Sequence, residues 1–230
     1  MLGFGACVRK KWDFMRDGSL SLKFRRRRME FFKEFIKSLP RPVRVLDVGG
    51  SVEFWERTGF LPGNTLRITV LNLSSVEPKY PSVTCVVGDA RDMRMFSDKE
   101  FDVVFSNSMI EHIPSSDGQR KAAAEMLRVG KRFFIQTPNR NFPIEPHFLI
   151  PFFPFLPLFL KVFFAQYSTW LWGGRRSSKT EARSHVESIR PLSKKELLAM
   201  FPQASLYTEK FFGLTKSFVA YGHSNAGPAD

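Results

Sequence analysis

Apolar residues along this chain fall into short, β-branched runs that alternate with stretches of helical spacing, a pattern that predicts βαβ units and a parallel sheet. The first run, Val43 to Val48, is introduced by Pro42 and closes on Gly49-Gly50-Ser51. Further strands are predicted at Leu66 to Leu71, Val83 to Val87, Phe101 to Phe105 and Arg132 to Gln136, with Ser205 to Thr208 and Thr215 to Tyr221 closing the fold. Between them, helical spacing from about Phe24 to Leu39 sets Phe31, Phe32, Phe35, Ile36 and Leu39 on one stripe, and Pro40-Arg41-Pro42 ends it. Shorter helices are expected over 51–59, Gln119 to Val129, and Ser193 to Phe201, where Ser193 can cap and Glu196 sits three residues on.

Residues 142–172 depart from this rhythm. Phe148 to Leu160 carries no charge, yet Pro151, Pro154 and Pro157 interrupt it, and it is well short of the roughly 20 residues a spanning helix needs. It reads as an insertion that covers the sheet edge or docks on an apolar surface, with partial seating in a membrane interface as the sharper version. Gly173 to Ser178 reads as a flexible basic loop and Gly222 to Asp230 as a loose tail.

The residues that end the strands carry the chemistry. Asp47 with Gly49, then Asn72, Asp89 and Asn107, close four successive strands, and in a parallel sheet those ends share one edge. Ligands of open α/β sheets bind beyond that edge, where the strand order reverses. A polar residue ending the second strand can bond ribose hydroxyls, Asp89 can accept the adenine amino group, and the glycine turn lets backbone and Asp47 approach the rest of an adenosine ligand. Each residue alone is also what a helix cap after a strand looks like. Four in register point to a shared crevice.

With these residues in view, the chain resembles the class I S-adenosylmethionine-dependent methyltransferases, and within them a type 11-like subgroup. The resemblance rests on Val45-Leu46-Asp47-Val48-Gly49-Gly50-Ser51, on Gly88-Asp89-Ala90, on Phe101 through Ile113, and on the segments Thr137 to His147 and Leu192 to Ser217. It implies a Rossmann-like three-layer sandwich whose seven-stranded, mostly parallel sheet has the order 3-2-1-4-5-7-6, with the apolar insertion after strand 5. It also implies that Asp47, Gly49 and Gly50 line the methionine part of S-adenosylmethionine, Asn72 contacts ribose, Asp89 and Ala90 hold adenine, and Ser106, Asn107 and Ser108 flank the cofactor beneath the transferred methyl. Ser51 and Glu53 stand where the family's turn has further glycines, and Asn72 replaces a frequent acid, which gives up a charge-assisted hydrogen bond.

Charge and cysteine content then narrow the setting. The net charge is +13 over 230 residues, and the first forty residues hold eleven Lys and Arg against four Asp and Glu. Such an excess attracts phosphate, in nucleic acid or lipid head groups, and equally serves as a solvated basic face. Cys7 and Cys85 make no disulfide framework, the four histidines have no metal-ligand spacing, and no secretory signal is evident, so a cytoplasmic protein without an obligatory metal is expected. The glycine turn lacks the G-x-G-x-x-G spacing of a dinucleotide dehydrogenase. The expected organisation is a basic segment and helix over 1–40, a methyltransferase domain over 41–222 with 142–180 as its acceptor-side insertion or lid, and a tail over 223–230.

A sulfonium methyl is already electrophilic, so the main task is to hold a nucleophile in line with it, and a general base helps where the acceptor arrives protonated. His112, after strand four, and His147, between prolines at the mouth of the insertion, are the candidate bases; Glu111, Glu145 and His185 stand behind them. The leading expectation is O-methylation of a small or lipid-like acceptor, with attraction to anionic membrane surfaces. An RNA-modifying enzyme or nucleic-acid binder, and a non-catalytic protein that retains the fold, are the alternatives.

Overall fold

Seven strands form one sheet in the order β3-β2-β1-β4-β5-β7-β6. They are β1 (Val43–Val48), β2 (Leu66–Asn72), β3 (Val83–Val87), β4 (Phe101–Asn107), β5 (Gly130–Pro138), β6 (Ser205–Phe211) and β7 (Leu214–His223). The computed structural model describes residues 20–59, 65–75, 77–144, 148, 150–168 and 174–224. β1 through β5 run parallel, and β7 lies antiparallel between β5 and β6. The strand order and the mostly parallel sheet are those the resemblance implies.

Alternation along each strand sends side chains to two faces. Val43 and Val45 of β1, Val103 and Phe105 of β4 and Phe134 of β5 face one layer, where α1 (Leu20–Phe35) and α2 (Val52–Arg57) contribute Met29, Phe32 and Trp55. Leu46, Val104, Phe133 and Ile135 face the other, against α3 (Ser116–Val129) and α6 (Lys194–Met200). The aromatic stripe of α1 does the packing expected of it: Phe32 meets Phe105 at 5.0 Å and Phe134 at 5.1 Å between ring centroids. α1 is displaced from its predicted span because Leu22 also buries, while residues after Phe35 relax into turns before Pro40. α3 starts at Ser116 because Ser115 caps it, its Oγ accepting from Gly118 N at 3.0 Å.

The proline-punctuated insertion builds a small core of its own. After Pro157 the chain forms α4 (Leu158–Tyr167), and α5 (Lys179–Glu187) follows, opened by a capping box between Ser178 and Glu181. Phe148, Phe153, Val162, Ala165, Ala182, Val186 and Ile189 pack on one another, with no sheet residue among them. The insertion thus forms two helices with a core of their own, and Phe152, Phe155, Phe159 and Phe163 are exposed. No helix among the described residues is long and apolar enough to cross a membrane.

Candidate functional site

The turn after β1 fixes the geometry of the site. Gly49 has φ +74, and a Cβ there would stand 2.2 Å from Met109 Cγ; a Cβ on Gly50 would stand 1.8 Å from Asp47 Oδ2. Both glycines are therefore demanded by close approach. Ser51 turns the chain into α2 as its N-cap, its Oγ accepting from Phe54 N at 3.3 Å. The residue that departs from the family's glycine-rich turn thus has a structural task. Glu53 is exposed and pairs with Lys79 at 3.1 Å.

Two cavities adjoin this turn, and Gly49 lines both. The larger, about 570 Å³, runs past the ends of β1, β2 and β3 and is lined by Asn72, Asp89, Ala90, Ser108 and Met109, with His112 and Ile113 at its edge. The smaller, about 370 Å³, is lined by Asp47, Gly50, Ser51, Glu53, Phe54 and Asn107, with Arg25 of α1 and Arg57 of α2. Both volumes lie within the roughly 300–1,000 Å³ of small-molecule sites. The sheet therefore brings together most of the residues singled out above, in two groups on either side of one glycine.

Asp47 shares the strand face of Val43 and Val45, so its carboxylate enters the α1–α2 layer and is fully buried. Trp55 Nε1 donates to its Oδ2 at 2.7 Å, while Oδ1 has no hydrogen-bond partner among the described residues. Burial pushes the Asp47 carboxyl up to about 7, and the Trp55 hydrogen bond only partly opposes this. Arg25, beside the same cavity, is lowered to about 10 by burial and by the neighbouring Arg28 and Arg57 charges.

Asn72 does more than end β2. Its Nδ2 donates to Gly50 O at 3.1 Å and its Oδ1 accepts from Leu73 N at 2.9 Å, so the amide ties the second strand end to the glycine turn. Asp89 accepts from its own loop, from Arg91 N at 2.9 Å and Arg91 Nη2 at 2.5 Å, and the Arg91 hydrogen bonds hold its carboxyl below the usual range. Ser106 lies on the opposite strand face, fully buried, its Oγ donating to Val48 O at 3.1 Å. It braces the seam between β1 and β4 and lines neither cavity. Ser108, at φ 55, donates to Gln136 Oε1 at 2.8 Å. His112 is exposed and stands with Asp89 and Ala90 rather than with Asp47 and Asn107. Glu111 is buried and accepts from Thr137 Oγ1 at 3.1 Å. His185 packs its ring against Phe148 inside the insertion, 5.4 Å between centroids. His147 and Glu145 lie outside the described residues.

One group escaped sequence reasoning altogether. Arg28 is the fourth arginine of a run that reads as a basic surface, yet it is only 3% exposed. Its Nε and Nη2 bond both carboxylate oxygens of Glu209 on β6, at 3.0 and 2.6 Å, and its Nη1 donates to Asn107 Oδ1. Ser217 Oγ also donates to Glu209 Oε2, and Lys216 stands 3.8 Å away. Burial alone would raise the Glu209 carboxyl, but Arg28 prevails and holds it down. Burial lowers Lys216 to about 8 despite Glu209. The consequence for the site is directional. With Asn107 Oδ1 occupied, its amide N–H groups are what remain to donate into the cavity.

Residues 65–134 match the family model for a methyltransferase domain, a stretch that holds β2 through β4, α3 and the larger cavity's lining from Leu71 onward. The whole sheet has the strand order of the class I S-adenosylmethionine-dependent methyltransferase fold. Two uncharacterised proteins of Mycobacterium tuberculosis are each 29% identical over 140 residues, which is 54% of this chain and 45% of theirs. The chain thus spans less than half the length of these relatives. Among solved structures, the CurJ carbon methyltransferase is similar in fold, with TM-score 0.57, 11% identity, and coverage of 88% of this chain and 54% of that one. The 1,6-didemethyltoxoflavin N1-methyltransferase of Burkholderia thailandensis, solved with S-adenosylhomocysteine bound, gives TM-score 0.53, 14% identity, and coverage of 95% and 86%.

S-adenosylmethionine is the cofactor of this domain class, and the residues present fit it. A buried acceptor, Asp47 Oδ1, borders the smaller cavity with no partner among the described residues, which suits a cationic ammonium. Gly49 and Gly50 leave the turn open at the point where the two cavities meet.

Proposed function

We propose that the protein is an S-adenosylmethionine-dependent methyltransferase that O-methylates a small or lipid-like acceptor at an anionic membrane surface. The observation that carries this reading is the pair of cavities meeting at Gly49, one suited to adenosine and the other to the amino acid end and acceptor. Residues 41–222 act as the methyltransferase domain, with 142–180 contributing to the acceptor side. In the larger cavity Asn72 faces the ribose, Asp89 and Ala90 hold the adenine, and His112 closes over that end. In the smaller one Asp47 takes the ammonium, Arg25 and Arg57 offer positive charge to the carboxylate or to an acidic acceptor, and Asn107 donates to the group in front of it. Ser106 supports this arrangement from behind the strand, and Ser108 borders the adenosine.

When bound, the cofactor supplies an electrophilic methyl, and the protein contributes alignment, worth about 7–11 kcal/mol where the reacting atoms are held in line. A hydroxyl acceptor must also lose a proton, and His147, which directly precedes the apolar run in sequence, is the base we assign to that step. The test is calorimetric titration of the pure protein with S-adenosylhomocysteine. Binding is expected, with at least a tenfold loss in Asp89→Ala, since a hydrogen bond to a charged group is worth about 1.5–3 kcal/mol. No binding, or no loss in that variant, would overturn the reading of the site.

A further inference from the structure

The hairpin joining β6 to β7 projects from the edge of the sheet that holds the cofactor cavities. β5 ends at Pro138, paired with Ser217, whereas the β6–β7 ladder continues to Phe211 opposite Leu214. At about 3.3 Å per residue, those three further positions carry the hairpin tip roughly 10 Å past the end of β5. There Phe212 is 90% exposed with φ 47, and Leu214 is 53% exposed. A bulky aromatic residue held at positive φ and bare to water is an unusual way to end a hairpin.

The tip is not alone. Lys23, Phe24 and Arg27 of α1 line a groove of about 350 Å³ with Lys210, Phe211 and Phe212, and no acid is among the described residues that line it. Phe24 meets Phe211 at 6.3 Å, and Lys216 Nζ stands 4.5 Å from the Phe24 ring. Arg26 adds a further exposed cation, and the first acid along α1 is Glu30. Of the neighbouring charges that could neutralise the groove, Glu209 is buried and bound by Arg28.

We propose that the β6–β7 hairpin and the first turns of α1 form a docking surface for an anionic lipid bilayer. Phe212 and Leu214 enter the interface, Lys23, Arg27 and Lys210 meet the phosphates, and the cavity edge is turned toward the lipid. This inference rests on the membrane part of the function proposed above and names the element responsible. Charge complementarity and the bare apolar tip together favour a bilayer over a free phosphate, which would use the cations but gain nothing from Leu214.

Co-sedimentation of the full chain with phosphatidylcholine vesicles, with and without phosphatidylglycerol, tests the surface, with titration of S-adenosylhomocysteine run on the same preparations. Binding is expected only with phosphatidylglycerol, and it should weaken with salt. Arg27→Ala should lower partitioning about fivefold and Phe212→Ser about tenfold, while Phe212→Trp retains it and all three bind S-adenosylhomocysteine as the parent does. Vesicle binding unchanged in Arg27→Ala and Phe212→Ser would overturn the proposal, as would equal binding to neutral vesicles or none at all. Salt-dependent RNA binding lost in the same variants, without vesicle binding, would assign the surface to nucleic acid instead. Loss of self-association in Phe212→Ser would assign it to a second copy of the chain. If S-adenosylhomocysteine fails to bind while the vesicle pattern holds, the methyltransferase reading falls and the docking surface stands.

Discussion

Asp47→Asn separates what this residue costs the fold from what it does for the cofactor. The Asp47 carboxyl is raised by burial from 3.8 to about 7, a shift of about three pH units, or about 4 kcal/mol at 1.36 kcal/mol per unit. Because its folded value lies above the unfolded one, the native protein holds this proton where the unfolded chain has lost it. The group's contribution to stability is therefore whole below about pH 4 and declines as pH rises to about 7. At pH 8 the ligand-free protein bears the full cost of a buried carboxylate. In the variant, Trp55 Nε1 keeps an acceptor, but the new amide adds buried N–H groups whose unmet demand returns about 1–3 kcal/mol of the gain. Asp47→Asn should thus be about 1–3 kcal/mol more stable than the parent at pH 8 and show no such advantage at pH 4, measured by denaturant unfolding without ligand. The same variant should bind S-adenosylhomocysteine about ten- to a hundredfold more weakly, because it replaces a charged acceptor at Oδ1 with a neutral amide. A cation settling beside Asp47 would also expel its proton, so titrations of the parent at pH 6 in buffers of different ionisation enthalpy should report proton release that the variant lacks. Equal stability at pH 8 together with unchanged affinity would refute the assignment of Asp47 as the ammonium partner.

Arg28→Met should lower stability by about 3–5 kcal/mol, read as a shift in denaturant midpoint, since it strands Glu209 in the core without its bidentate partner. Arg28→Met with Glu209→Leu should recover much of that loss while still weakening the site, because Asn107 loses its restraint in both. Gly50→Ala should abolish S-adenosylhomocysteine binding in a protein that still unfolds cooperatively, because the new methyl falls 1.8 Å from Asp47 Oδ2 and one of the two must move.

How much of this was legible in the sequence depends on the range of the interaction involved. Strand ends are local signals: Asp47-Val48-Gly49-Gly50, Gly88-Asp89-Ala90 and Ser106-Asn107-Ser108 each sit beside the run they terminate, and the sheet then assembles them along one edge. The side-chain period of two also carried information that could have been used further. Ser106 and Asn107 are neighbours on β4 and must face opposite layers, so only one of them could point with Asp47. The insertion was harder, because Leu158 to Tyr167 is apolar nearly all round and prolines precede it, leaving no periodic stripe to read. The capping box of Ser178 and Glu181 was a readable helix start for α5 that the polar composition of that stretch obscured.

The arginine run at 25–28 marks where sequence pattern stops informing. Four consecutive cations look interchangeable, and helical geometry places them about 100° apart around α1, so they cannot share a fate. Arg26 and Arg27 reach solvent, Arg25 borders the smaller cavity, and Arg28 turns inward to a carboxylate 181 positions away. Nothing local to residue 28 announces Glu209. Yet this pairing ties α1 to the β6–β7 ladder, and through Asn107 to the end of β4. The basic segment, read from composition as a phosphate-attracting or a solvated face, is therefore divided by the fold. One arginine builds the site's framework, one supplies positive charge within it, and the exposed remainder flanks the hairpin groove. A uniform charge reversal across 25–28 would consequently confound three effects, and only single substitutions can test the proposed attraction of this segment for anionic surfaces.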